Sequence, residues 1–335
     1  MVLVTGGTGL VGAHLLFELT KNGTAVKAIC RATSDVQKVE KVFSYYTEDY
    51  QIQYQKIQWI VADITNIPDL ETAFEGITHV YHCAALISFD PKDFEQLHKV
   101  NCEGTANIVN LCIAKNIKKL CYVSSIATIG KNLNYEEVDE ESEWTNKDAN
   151  VYALSKYYAE MEVWRGSQEG LSIVILNPGV IIGPGFWDTG SGKLYTTVTK
   201  EHRYYPPNGT GFVSVTDVVQ LLVLAMNSDI DKERFITISE NLKYKDVLDL
   251  IALELRLKPA TQMLSFWQLE VLWRLDALGS FLFKRERKIS KKMVASLREN
   301  KVYLNEKVRR FFDYKFEALQ KSIAFTSEKF KQEKL

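Results

Sequence analysis

Short apolar runs rich in β-branched residues alternate along this chain with longer stretches of helical periodicity. Residues 2–5, 25–30, 57–61, 78–81, 119–123 and 172–176 read as strands, and 10–21, 94–115 and 151–168 as helices. Strand and helix in strict alternation predict βαβ units, hence an α/β, doubly wound parallel sheet with helices on both faces. Residues 35–50, charged and aromatic, are expected to form an extra surface helix. Beyond residue 176 the pattern gives way to N-P-G, G-P-G and Y-P-P-N-G-T-G, punctuation that breaks regular structure and marks functional loops. A strand followed by an apolar helix over 212–226, and another strand over 234–238, bring the chain back. The expected organisation is therefore a nucleotide-type domain from 1–176 and 212–239, with a smaller, discontinuous, mostly helical substrate lobe from 177–211 and 240–335.

Composition changes this picture little. The 335 residues are 46% hydrophobic and 25% charged, as in a globular protein, and the formal net charge of -1 offers no pull toward nucleic acid. Five cysteines, with no C-x-x-C pair and no metal-ligand spacing, predict neither a disulfide framework nor a metal site. Met1 runs directly into V-L-V-T-G-G, which reads as a strand and not a secretory signal, so a cytoplasmic setting is expected.

The first chemistry lies in T-G-G-T-G-L-V-G. Gly6, Gly9 and Gly12, with Thr8, Leu10 and Val11 between and beside them, join the first strand to the first helix. A turn there brings backbone N–H groups and a positive helix end against a pyrophosphate. About twenty residues on, an NAD site carries an acid for the ribose hydroxyls; this chain has Cys30-Arg31. A guanidinium suits a phosphate dianion, so NADP(H) is favoured, with NAD(H) left open.

Tyr152 and Lys156, in Y-A-L-S-K, are four residues apart on a predicted helix and project from one face. This helix follows the fifth strand, whose end carries Ser124-Ser125. The glycine spacing and this order resemble the short-chain dehydrogenase/reductase superfamily, in its extended NAD-dependent epimerase/dehydratase branch. The resemblance implies a Rossmann fold and a Ser125–Tyr152–Lys156 catalytic group, with Ser124 as the alternative serine. In that chemistry, hydride transfer builds charge on a carbonyl oxygen, Tyr152 supplies the proton, Lys156 tunes the phenol and Ser125 holds the oxygen. The resemblance also assigns cofactor contacts to Asp63 and Ile64, to Ala84 and Ala85 after His82-Cys83, to Asn101 in N-x-x-G-T, and to Asn177-Pro178-Gly179. His82 is not expected to act as base or ligand.

Sugar-nucleotide members carry R-x-x-N-V-Y-G-P and a further arginine; this chain reads L-N-P-G-V-I-I-G-P and N-G-T-G-F-V-S-V-T-D-V. It is closer in pattern to dihydroflavonol reductases and 3β-hydroxysteroid dehydrogenases, which implies a relatively apolar ketone, aldehyde or alcohol as substrate. An epimerase or dehydratase with retained cofactor is the alternative, since Lys193, Lys200 and Arg203 could answer a phosphate. A non-catalytic NAD(P)-binding subunit is the third. The segment 263–283, rich in Leu, Phe and Trp, precedes K-R-E-R-K-I-S-K-K. Its first reading is a lobe helix packed on the core, Trp267 and Trp273 included; its second is peripheral membrane contact through 263–292. Gln268, Glu270, Arg274 and Asp276 bar it from spanning a bilayer. A homodimer is also open.

Overall fold

A computed structural model describes the chain except residues 131–136, 148, 202, 284–289 and 299–300, and the side chains of 281, 293 and 296. The basic run over 284–289 thus lies outside the described residues.

The large sheet uses β1 (Val2–Thr5), β2 (Val26–Cys30), β3 (Ile57–Val61), β4 (His79–His82), β5 (Lys119–Val123), β6 (Ile173–Pro178) and, after an excursion, β9 (Glu233–Thr237). Its order is β9-β6-β5-β4-β1-β2-β3, with every pair parallel. Alternate residues feed two cores, which is why the strands read as near-continuous apolar runs. Val4, Tyr81, Cys121 and Val174 enter one; Leu3, Val80, Tyr122 and Ile173 enter the other. The first core is covered by α1 (Leu10–Lys21), α2 (Gln37–Phe43) and α9 (Val215–Asn227), the second by α4 (Ile67–Ala73), α6 (Gly104–Ala114) and α7 (Val151–Gln168). The strand order reverses between β1 and β4, so a crevice opens beyond their carboxyl ends.

Two expected helices differ. Residues 35–50 give α2, with α3 (Tyr50–Tyr54) starting at the end of that segment, and α2 is not superficial. Val39, Val42 and Phe43 are buried on one face, and Phe43 meets Phe17 of α1 edge-on at 5.3 Å. Residues 94–115 are not one regular helix: α5 (Phe94–Leu97) leads through a π-helical turn, His98–Glu103, into α6. That turn shifts the helical register and carries Asn101.

The smaller lobe holds β7 (Val180–Ile182), β8 (Gly209–Ser214) and β10 (Glu240–Lys243) in the order β10-β8-β7. Its core joins Tyr195 of α8 (Gly192–Val198), Ile251 of α10 (Tyr244–Leu255) and Phe330 of α14 (Leu319–Lys334). Residues 212–239 are shared out, for Phe212 and Val213 pair with the small sheet whereas α9 packs on α1 and β9 extends the large one. The chain also forms α11 (Phe266–Phe283), α12 (Lys291–Ser296) and α13 (Glu306–Phe312). Among the described residues no helix is long and apolar enough to cross a membrane.

Candidate active site

At the β1–α1 turn Gly6 takes φ +68°, and Gly9 N–H closes the turn on Gly6 O at 3.0 Å. A Cβ on Gly6 would lie 2.6 Å from Ala84 N, and one on Gly12 would lie 2.2 Å from Gly6 O. Only glycine lets strand, turn and helix meet so closely. The N-cap of α1 is Gly9, with no side chain bonded back to the helix, and the first N–H groups of the helix have no intrahelical acceptor. Thr8, Leu10 and Val11 are half-buried around this positive end. These residues fit the diphosphate of a dinucleotide.

Arg31 follows β2 on the surface; its N–H bonds Ser34 Oγ at 3.1 Å, while its guanidinium makes no hydrogen bond with the described residues. Across the turn after β3, Asp63 Oδ1 accepts from both the N–H and the hydroxyl of Thr65 at 2.8 Å. Burial pushes the Asp63 carboxyl up, but the two Thr65 bonds and the Arg31 and Lys99 charges outweigh it and hold the carboxyl below its usual range. Ile64 is buried against Gly104, where a Cβ would come within 2.7 Å of its Cδ1. Ala84 backs Gly6, with its N–H on Thr5 Oγ1 at 3.2 Å, and Ala85 is exposed beyond it.

Tyr152 and Lys156 stand in the first turns of α7, whose N-cap Asn150 accepts from Ala153 N–H at 2.8 Å. Burial raises the pKa of the Tyr152 phenol above 10, and the neighbouring Ser125 side chain opposes the rise. Ser125 Oγ in turn accepts from Ala127 N–H at 3.1 Å, which orients the hydroxyl so that its proton points elsewhere. The partly exposed Phe89 ring meets the Tyr152 ring at 5.5 Å, giving the reacting edge an apolar neighbour.

Lys156 departs from expectation. Its ammonium donates to Tyr122 Oη at 2.6 Å and to Val123 O at 2.9 Å, and not to Tyr152. Burial lowers its pKa to about 7, against the pull of the Glu160 carboxylate and Cys83. Lys156 thus makes no direct hydrogen bond to the Tyr152 phenol. Alternation along β5 turns Tyr122 toward α7, so its phenol takes the ammonium first.

Asn101 and Asn177 also depart from a direct cofactor contact. Asn101 is buried; its Oδ1 accepts Leu86 N–H at 2.7 Å while Nδ2 donates to Leu86 O at 3.0 Å and Ser155 Oγ at 2.9 Å. Its amide is engaged in bracketing the β4 loop to the catalytic helix. Asn177 Nδ2 donates to Thr128 Oγ1 and to Glu160 Oε2, each at 2.9 Å, so this side chain also faces inward. Pro178 is buried and Gly179 half-buried; a Cβ on Gly179 would meet Gly211 O at 2.2 Å. The backbone of 177–179 is what remains to face a ligand.

His82 is buried and neutral. Thr105 Oγ1 donates to Asn101 O at 2.5 Å, so it can only accept from His82 Nε2–H at 2.9 Å, leaving Nδ1 to accept from Thr5 Oγ1 at 2.6 Å. Burial, with the Lys156 charge, lowers its pKa to about 3.

The sequence reading missed Glu160 and Arg234. Glu160 has no exposed surface; its Oε2 accepts from Ser124 Oγ at 2.5 Å, Thr128 Oγ1 at 2.7 Å and Asn177 Nδ2 at 2.9 Å, while Oε1 meets Arg234 Nη1 at 3.2 Å. One carboxylate thus ties α7 to the ends of β5, β6 and β9. The signal was present: Y-x-x-x-K-x-x-x-E continues the same helical face. Ser124, the alternative serine, belongs to this network and not to the Tyr152 pair.

The model of the NAD dependent epimerase/dehydratase family matches residues 2–238. The chain belongs to that family. A putative dihydroflavonol 4-reductase of Synechocystis sp. is 34% identical over 227 residues, which cover 66% of this chain and 62% of that protein; the chain thus matches less than two thirds of the relative's length. The crystal structure of gox2253 superposes with a TM-score of 0.83 at 23% identity, over 100% of this chain and 98% of the other. UDP-glucose 4-epimerase of Thermus thermophilus, solved with NAD, gives 0.75 at 21% identity, over 99% of each chain. These matches bear out the extended short-chain dehydrogenase/reductase resemblance and the Rossmann fold. The family is NAD dependent by its description, so the chain belongs among proteins that take a nicotinamide cofactor.

Proposed function

We propose that this enzyme is an NADP(H)-dependent reductase of relatively apolar ketones or aldehydes, also competent for the reverse oxidation. The observation that carries it is Tyr152, with Ser125 as its neighbour, against the exposed apolar ring of Phe89. The glycine turn and the end of α1 would hold the diphosphate, and Arg31 the 2′-phosphate, for which its guanidinium has no competing hydrogen bond among the described residues. Bound there, the cofactor supplies or takes the hydride.

The chain's own residues then manage a proton and a developing charge. Ser125, with Oγ fixed by Ala127 N–H, turns its own proton to the substrate oxygen. Tyr152 gives its phenolic proton to the same oxygen, and the phenolate left behind is favoured by the Lys156 ammonium one turn away. Lys156 must be protonated for this, and with a pKa near 7 it sits close to the working range. The epimerase alternative rests on cations in the small lobe, but Lys193, Lys200 and Arg203 are all exposed to solvent.

A panel of carbonyl compounds offered with NADPH tests the reading. Net oxidation of free NADPH on apolar members is expected; turnover of a sugar nucleotide with no net consumption would replace it with the epimerase reading.

A further inference from the structure

Helix α11 is inverted relative to a helix that packs on a core. Five large apolar side chains, Trp267, Val271, Leu275, Leu278 and Leu282, recur at spacings of four, four, three and four and share one face. That face is turned to solvent, with Trp267 68%, Leu275 58% and Leu282 61% exposed; Phe283, the last residue of the helix, is also exposed, at 76%. The opposite face carries Leu269, Asp276 and Ser280, all buried, with Lys92 Nζ on Ser280 Oγ at 3.2 Å. The expected packing of this apolar run holds for Leu269 and fails for Trp267, because the inward stripe carries polar groups and the outward stripe is mainly aliphatic and aromatic, bordered by Arg274 paired with Glu270.

We propose that the outward face of α11 docks on an anionic lipid surface. A helix of this length presents a stripe roughly 27 Å long, with tryptophan, leucine and phenylalanine outermost. The sequence that directly follows Phe283, K-R-E-R-K-I-S-K-K, holds six cations against one anion, and its described lysines, Lys291 and Lys292, are exposed. An apolar face joined to a basic run is the composition of helices that lie in a membrane interface. Docking through this face does not depend on which carbonyl the enzyme reduces.

The full chain sedimented with vesicles of mixed phosphatidylcholine and phosphatidylserine, and with pure phosphatidylcholine, reads the proposal. Binding to the anionic vesicles is expected, weakened by salt and by omission of phosphatidylserine. The double variant Leu275→Gln/Leu278→Gln, both positions exposed, should lose on the order of tenfold or more in partitioning. It should keep its thermal midpoint and its turnover of a water-soluble substrate. No binding to anionic vesicles overturns the proposal. So does a dimer in sedimentation equilibrium that this variant dissolves, which would make the occupant a second copy.

Discussion

Replacing Glu160 by Gln removes a charge from the point where α7 meets three strand ends. No orientation of the glutamine amide serves every neighbour. With its NH2 at the Oε2 position it confronts Asn177 Nδ2, another donor; with its NH2 at Oε1 it confronts Arg234 Nη1. Breaking a buried ion pair by removing one member costs about 3–5 kcal/mol. The lower end applies here, because Arg234 keeps a bond from Nε to Glu140 O at 3.0 Å. At roughly 2 °C per kcal/mol for a chain of this size, the thermal midpoint should fall by ~6 °C. Below that midpoint the variant still folds, and its pH profile separates positioning from stability. The Glu160 charge props up the Lys156 pKa, so in Glu160→Gln that pKa drops below about 7. If protonated Lys156 supports the reductive step, the alkaline limb of kcat then moves to lower pH. A thermal midpoint within a degree of the parent, or a lower midpoint with an unmoved limb, would refute the argument.

Other expectations follow from the same contacts. Arg31→Ala should weaken NADPH far more than NADH in a fluorescence titration, by roughly tenfold or more for a lost charge-assisted pair; equal losses would sink the 2′-phosphate role. Gly12→Ala must move Gly6 O, 2.2 Å from the new Cβ, and should lose measurable binding of either nucleotide; unchanged binding would show a turn more yielding than its contacts imply. Burial lowers His14 to about 4, opposed by its bond to Pro184 O, and His82 to about 3. Above pH 6.5 both histidines are neutral folded or unfolded; as pH falls below that, only the unfolded chain takes up their protons, so stability declines down to about pH 4 and pH 3 respectively. Urea midpoints across this window should fall less steeply for His14→Gln, by about 1.4 kcal/mol per pH unit, whereas an identical slope would mean that His14 titrates normally.

What could be read beforehand were features with a local cause. Short apolar, β-branched runs mark the strands, the glycines mark the turn, and the four-residue spacing puts Tyr152 and Lys156 on one helix face. What escaped depends on partners distant in sequence. The burial of α2 rests on Val39, Val42 and Phe43 meeting α1, a pattern obscured by the charged residues between them. The pairing of Lys156 with Tyr122 needs the register of β5 against α7, 34 residues away. Asn101 faces Leu86 because of a π-helical turn that no propensity signals. Glu160 looked like one more polar residue on a helix until the ends of three strands were placed around it.

The central claim is that Tyr152 gives the proton in a reduction driven by free nicotinamide cofactor. Single-turnover oxidation of NADPH, followed optically with an apolar ketone in the parent and in Tyr152→Phe, tests it most directly when paired with NADPH affinity for each. The account predicts a rate lower by about 10²–10⁴-fold in the variant, the usual contribution of a positioned acid, with affinity nearly unchanged. An undiminished rate in Tyr152→Phe would contradict it.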